Sequence, residues 1–249
     1  MTARARPQRG PVRRPFRIAL LALLLLLVIT IALWRITKLP CWQMVGEVTC
    51  RIETGEKIVA LSFDDGPTPE GVDAVIDELA KRRVHATFFL IGSKMARYPE
   101  LAKRLLAAGH ELGNHSWSHK RMIGRSQAFY REEIARTDAL LRAAGVAHPT
   151  LFRPPFGRRL AGLPLAVEQE GYRSITWDVA DDAVHNITPE TYARDIVSRA
   201  RPGSIILIHP MYRGNRVERA AVPLVLDGLA AKGYRIVTVG ELLKGEQPE

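Results

Sequence analysis

Residues 57–67 read Lys57-Ile58-Val59-Ala60-Leu61-Ser62-Phe63-Asp64-Asp65-Gly66-Pro67. Residues 58–63 are a short, mostly apolar run with the length of a buried strand. Two carboxylates end it abruptly and a Gly-Pro pair turns the chain. Residues 69–82 then have the pattern of a helix with proline in its first turn. That strand-and-helix unit recurs down the chain. Further strand candidates are 85–91, 111–114, 150–152, 172–176, 204–208 and 235–239, and all but the last are followed by a helix-like stretch such as 99–108. Strands alternating with helices predict a parallel sheet. Seven of them in under 200 residues predict an α/β fold, a distorted (β/α) barrel, although an open doubly wound sheet has the same signature.

Working outward, the chain of 249 residues has room for one such domain and a tail. The formal charge of +10 is concentrated at the start: seven of the 36 basic residues and none of the acids lie in residues 1–35, leaving 29 basic against 26 acidic residues beyond them. No basic stripe interleaved with aromatics follows, so the composition argues against a nucleic-acid partner. The arginines instead run into residues 18–34, an uncharged apolar stretch ending in Trp34. As a helix it is about 25 Å long, at the short end for a hydrocarbon core of roughly 30 Å. It reads as one transmembrane anchor over 18–35 after a basic tail over 1–17, because it outruns a signal peptide's apolar region and no small-residue cleavage site follows. Arginines before the span predict a cytoplasmic N-terminus and an extracytoplasmic remainder. Residues 36–56 read as a linker. Cys41 and Cys50, the only cysteines, are either a small disulfide loop formed outside the membrane or two free thiols.

The strand ends carry the chemistry. Asp64 and Asp65 are adjacent carboxylates at the end of a pleated strand and should project in different directions, so one can hold a metal while its neighbour acts as a base. His115 and His119 follow the strand ending at Asn114, and their i, i+4 spacing predicts one face of a helical turn. Two imidazoles and one carboxylate make three ligands and leave a place open, as in catalytic metal sites. Arg153, ahead of Pro154-Pro155, is either a surface charge or a cation fixed against a carboxylate. His209, at the end of 204–208, is either a satisfied strand-end histidine or a proton donor.

In this order, Ser62-Phe-Asp-Asp-Gly-Pro67, His115-Ser-Trp-Ser-His119, Arg153-Pro-Pro-Phe-Gly157 and Leu207-Ile-His209 resemble the motifs of the NodB-homology polysaccharide deacetylases, carbohydrate esterase family 4, over a domain spanning 57–245. The resemblance implies Asp64 as general base, and Asp65, His115 and His119 around one divalent metal, zinc first with cobalt, nickel or manganese as alternatives. It implies Arg153 orienting Asp64, His209 as general acid, an oxyanion donor at the Phe156 backbone, and Leu207 against the acetyl methyl. One motif departs. After Trp177 the chain reads Asp178-Val-Ala-Asp181-Asp182-Ala183, so Asp182 is nearest in position to the acid that supports the catalytic histidine, with Asp181 and Asp178 as rivals, and the tryptophan usually beside it is missing. The expected activity is removal of N-acetyl groups from an envelope glycan or peptidoglycan. A deacylase of a lipid-linked sugar and a non-catalytic glycan-binding module are the alternatives.

Overall fold

The computed structural model describes residues 13–37, 39–180 and 188–245. An exposed helix, α1 (Arg13–Ile36), leads into β1 (Val48–Thr49) and β2 (Ile58–Gly66), followed by α2 (Pro69–Lys81), β3 (Thr87–Leu90), α3 (Gly92–Arg97) and α4 (Pro99–Ala107). Next come β4 (Glu111–Asn114), α5 (Gln127–Ala144), β5 (Leu151–Phe152), α6 (Gly162–Gln169), β6 (Arg173–Ile175) and β7 (Val179–Ala180). The chain closes with α7 (Pro189–Arg199), β8 (Ile205–Ile208), α8 (Arg216–Ala231), β9 (Arg235–Val237) and α9 (Val239–Lys244).

All strand pairings are parallel, in the order β1-β6-β5-β4-β3-β2-β8-β7, with β9 pairing the first residues of β2. The path ends at β1 on one side and β7 on the other, so the sheet curls into a barrel that does not close. Nine strands appear among the described residues where seven were expected. The two additions, β1 and β7, are two residues each, too short to carry any periodicity. The first comes from the expected linker: Val48 and Thr49 pair with Ser174 and Ile175, Arg51 bridges to Ser204, and Ile52 is buried. The helical segment after the last strand, α9, was also not anticipated.

β2 shows how the sequence builds the layers. Val59, Leu61 and Phe63 face the helices, in the cluster that includes Val72, Val75 and Leu79 of α2 and Val222, Val225 and Leu229 of α8. Ile58 and Ala60 face the other way, into the barrel, with Phe89, Ile175 and Ile205. Strand side chains alternate between faces, so Ser62 and Asp64 continue the inward row toward the C-terminal end of the barrel. Several helices begin on side-chain caps: Thr68 accepts from the Gly71 N–H and Ser126 from the Phe129 N–H. The helix α1 includes a 22-residue stretch, Pro15–Ile36, long and apolar enough to cross a membrane, with a mean hydropathy of 2.8 and none of it buried. Cys41 and Cys50 are joined in a disulfide.

Candidate active site

At the end of β2 the register with β3 breaks between Phe63 and Gly66, and Asp65 takes a left-handed φ of 68°. A regular pleat would send the two carboxylates apart. The bend instead brings both within reach of one imidazole: His115 Nε2 lies 3.7 Å from Asp64 Oδ2 and 3.5 Å from Asp65 Oδ1. Asp64 turns its other oxygen to Arg153, whose Nη1 donates to Asp64 Oδ1 at 2.7 Å and to Ser62 Oγ at 2.9 Å. Arg153 Nη2 donates to the Thr176 carbonyl, and the guanidinium stacks 4.0 Å over the Phe89 ring.

The His115–His119 segment is not the helical turn its spacing predicts. It is an irregular loop in which Ser116 and His119 are both left-handed, with φ of 61° and 54°. Bonds from outside the segment hold that shape. Asn114 Oδ1 accepts from the Ser116 N–H, the Ser116 carbonyl accepts from the Gly92 N–H, and the Glu133 carboxylate on α5 accepts from both the N–H and the hydroxyl of Ser118. Gly92 is required for the approach, since a Cβ there would stand 2.4 Å from Thr137 Oγ1 and 2.7 Å from the Trp117 ring. The two histidine rings end 4.8 Å apart. His115 Nδ1 is 2.8 Å from the Arg153 carbonyl, which places its proton there and leaves Nε2 with a free lone pair.

Three atoms therefore face one point. The ligand atoms of Asp65, His115 and His119 all lie within 4.8 Å of one another, and Asp65 Oδ1 is 3.1 Å from His119 Nε2. Ligands at a zinc-like distance of about 2.1 Å in tetrahedral geometry stand about 3.4 Å apart, close to the 3.1 and 3.5 Å found here. Asp65 Oδ1 is also a buried oxygen that accepts no hydrogen bond among the described residues. An orphaned carboxylate oxygen flanked by two imidazoles fits a divalent cation, and the mixed N and O set suits zinc and its first-row neighbours. The electrostatics agree. Burial would raise the pKa of Asp65, but the imidazoles of His115, His119 and His209 around it outweigh burial and hold the group below the usual carboxylate range. Burial, and then the charge of His115, press the pKa of His119 down to about 4, so its imidazole is neutral near pH 7, the form that binds metals.

His209 closes the site from β8, its Nε2 4.0 Å from Asp65 Oδ2 and its carbonyl accepting from Asn215. Leu207 is fully buried and shares the inward face of β8 with Ile205. The Phe156 ring lies 4.6 Å from the His119 ring, on a 3-10 turn where Phe156 itself is left-handed at φ 59°. Gly157 completes that turn at φ 62°, and a Cβ on it would stand 2.8 Å from the Trp177 ring. Asp182 and Asp181 lie outside the described residues. Asp178 is committed elsewhere: it accepts from Ser204 Oγ, the Ile205 N–H and Arg201 at the opposite end of β8 from His209. Sequence reasoning missed Lys94 and Tyr212. Lys94 Nζ donates to the Asp65 carbonyl at 2.8 Å and sits 4.3 Å over the Tyr212 ring, while burial and then the nearby Asp65 raise the pKa of the Tyr212 phenol. Both are in stretches with no motif to mark them.

The polysaccharide deacetylase family profile matches residues 51–175. A peptidoglycan-N-acetylglucosamine deacetylase of Bacillus cereus is 34% identical over 201 residues, which cover 80% of this chain and 94% of that protein. The peptidoglycan-N-acetylmuramic acid deacetylase PdaC of Bacillus subtilis is 33% identical over 77% of this chain, but the match spans only 40% of PdaC. Among solved structures, the Bc1960 peptidoglycan N-acetylglucosamine deacetylase superposes with a TM-score of 0.75 at 28% identity, covering 81% of this chain and 95% of that one.

Proposed function

The chain belongs to the polysaccharide deacetylase family, carbohydrate esterase family 4, and from that premise we propose that it is a membrane-anchored, metal-dependent hydrolase removing N-acetyl groups from amino sugars of the cell envelope. The observation that carries this reading is the orphaned Asp65 oxygen between His115 and His119, with the Arg153-bound Asp64 on one side and His209 on the other. The deacetylase relatives and the apolar α1 support the substrate class and the anchor.

Asp65, His115 and His119 would hold the metal. Bound there, a divalent ion supplies Lewis acidity to the acyl carbonyl and lowers the pKa of water at the site. Asp64, aimed by Arg153, takes a proton from the attacking water. The water oxygen bonds to the acyl carbon and the carbon–nitrogen bond breaks. His209 delivers a proton to the departing amine, which cannot leave as an anion near neutral pH. By the family resemblance, the Phe156 N–H would donate to the oxyanion and Leu207 would form the apolar floor for the methyl group. Acetate and a free amino sugar result. Asp182 retains the assignment of supporting His209.

The test is acetate release from N-acetylglucosamine oligomers and peptidoglycan fragments by metal-loaded protein. Activity should vanish with a chelator and return with zinc or cobalt. Asp64→Asn should cut turnover by about 10²–10⁴-fold, the usual worth of a general base, with metal content unchanged. No acetate from any N-acylated glycan would turn the reading toward a glycan-binding module.

A further inference from the structure

The membrane helix is not hung from the catalytic domain by a loose linker. Thr37, one residue beyond α1, is buried, and its hydroxyl accepts from Arg158 Nη1 at 3.3 Å while donating to the Trp34 carbonyl. The Arg158 guanidinium stacks 4.0 Å over the Trp34 ring. Next to it the buried Arg159 gathers the strap that follows: Nη2 donates to the carbonyls of Leu39, Pro40 and Trp42, and Nε to Gln43 Oε1. Thr176, just past the C-terminal end of β6, also donates to the Pro40 carbonyl, and the Cys41–Cys50 disulfide ties the strap to the segment entering the sheet. These contacts all lie at the catalytic end of the barrel. Arg158 and Arg159 belong to the loop that supplies Arg153 and Phe156, so the site and the end of the membrane helix share one short piece of chain.

The rim between them has a consistent chemistry. Arg121, exposed, lies over the Phe156 ring at 5.7 Å and near enough to Arg158 for their charges to repel. Neither arginine has a carboxylate partner among the described residues. Exposed Phe156, Leu165, Leu39 and Trp42 accompany them. Apolar and aromatic side chains beside the exposed Arg121 guanidinium, with Arg158 buried behind it and level with the interfacial end of a membrane helix, suit a bilayer surface carrying phosphate.

Resting on the deacetylase and membrane-span readings above, we propose that the Arg158–Arg159 bracket holds the mouth of the site against the bilayer, where the exposed Arg121 receives the phosphate of an N-acetyl amino sugar carried on a membrane lipid. The reaction is the same hydrolysis, water in and acetate out. What the bracket selects is a sugar within reach of the headgroups over a glycan strand further out.

The full chain in lipid nanodiscs is given N-acetylglucosamine on polyprenyl diphosphate in the same disc and, separately, soluble chitotetraose. Confinement to one surface raises effective concentration, so the lipid-carried sugar should turn over at least about tenfold faster. A flexible Gly-Ser spacer of about twelve residues after Ile36, reaching roughly 20 Å, should remove most of that preference and leave chitotetraose turnover unchanged. Equal turnover of both substrates, or a preference indifferent to the spacer, overturns the proposal and leaves the deacetylase reading standing. Acetate from neither substrate overturns both. A second measurement does not depend on activity. With both native cysteines oxidised, fluorophores on Arg121→Cys or Lys232→Cys report distance from headgroup-quencher lipids; quenching at 121 and not at 232, which lies at the opposite end of the barrel, is expected. Equal quenching, or stronger quenching at 232, overturns the orientation whatever the spacer does.

Discussion

Arg153 Nη1 donates to Asp64 Oδ1 at 2.7 Å, and both side chains are buried. The pair joins the end of β5 to the end of β2 across the barrel interior, with Ser62 and the Thr176 carbonyl using other hydrogens of the same guanidinium. Removing one partner of such a pair leaves a buried charge uncompensated. Arg153→Ala should therefore cost about 3–5 kcal/mol in urea denaturation and abolish acetate release. Arg153→Lys keeps the charge but loses the planar fork, so it should regain part of the stability and little of the activity. An Arg153→Ala variant as stable as the parent would mean that the ion pair contributes nothing to the fold.

Glu133 holds His119 in place without touching the metal position. Its carboxylate takes two hydrogen bonds from Ser118, the residue before the left-handed His119. Groups that orient a ligand in this way commonly contribute 10–100-fold to metal affinity. Glu133→Gln should weaken zinc binding by about 10-fold and Glu133→Ala by up to about 100-fold, read by chelator competition. Unchanged zinc affinity in Glu133→Ala would show that the loop is held by Asn114 and Gly92 alone.

The Cys41–Cys50 bridge closes a loop of nine residues' separation. Loop-closure entropy for so short a span gives about 2–3 kcal/mol. Cys41→Ser paired with Cys50→Ser, or reduction of the parent, should lower the unfolding free energy by that amount while the barrel still folds. No change on reduction would place the strap's stability wholly in Arg159.

His110 is buried, its Nδ1 accepting from the Ala86 N–H, and burial followed by the charge of His85 lowers its pKa to about 4 from 6.5. Between those values the unfolded chain takes up a proton that the folded protein refuses. Metal-stripped protein should accordingly lose stability as pH falls from about 6.5 to about 4, at up to about 1.4 kcal/mol per pH unit for each such histidine. His119 contributes in the same direction. His110→Gln should flatten the decline in urea midpoints between pH 7 and pH 5; an unaltered decline would show that His110 is not its source.

Much of the site was legible because its residues terminate strands. A carboxylate after an apolar run, or a histidine after the run ending at Ile208, marks where a buried segment emerges, whatever lies around it. The helical turn expected at His115 was wrong because its shape depends on Gly92, Asn114 and Glu133, which the spacing of two histidines does not contain. Lys94 and Tyr212 stayed invisible for the same reason: each matters only through its closeness to Asp65. The strap read as a linker because its bonds are carbonyls given to Arg159, about 120 residues away.

The sequence by itself determined the parallel alternation of strands and helices, the apolar helix ahead of them, and the identity of the groups at each strand end. These are properties of short windows, where side-chain period and local chemistry are already complete. Tertiary structure alone decided that Asp64 meets Arg153 across 89 positions, that a left-handed Asp65 shares His115 with its neighbour, and that Trp34 is stacked on the loop bearing the site. Those arrangements depend on interactions between segments far apart in the chain, and their geometry exists only once the sheet has curled.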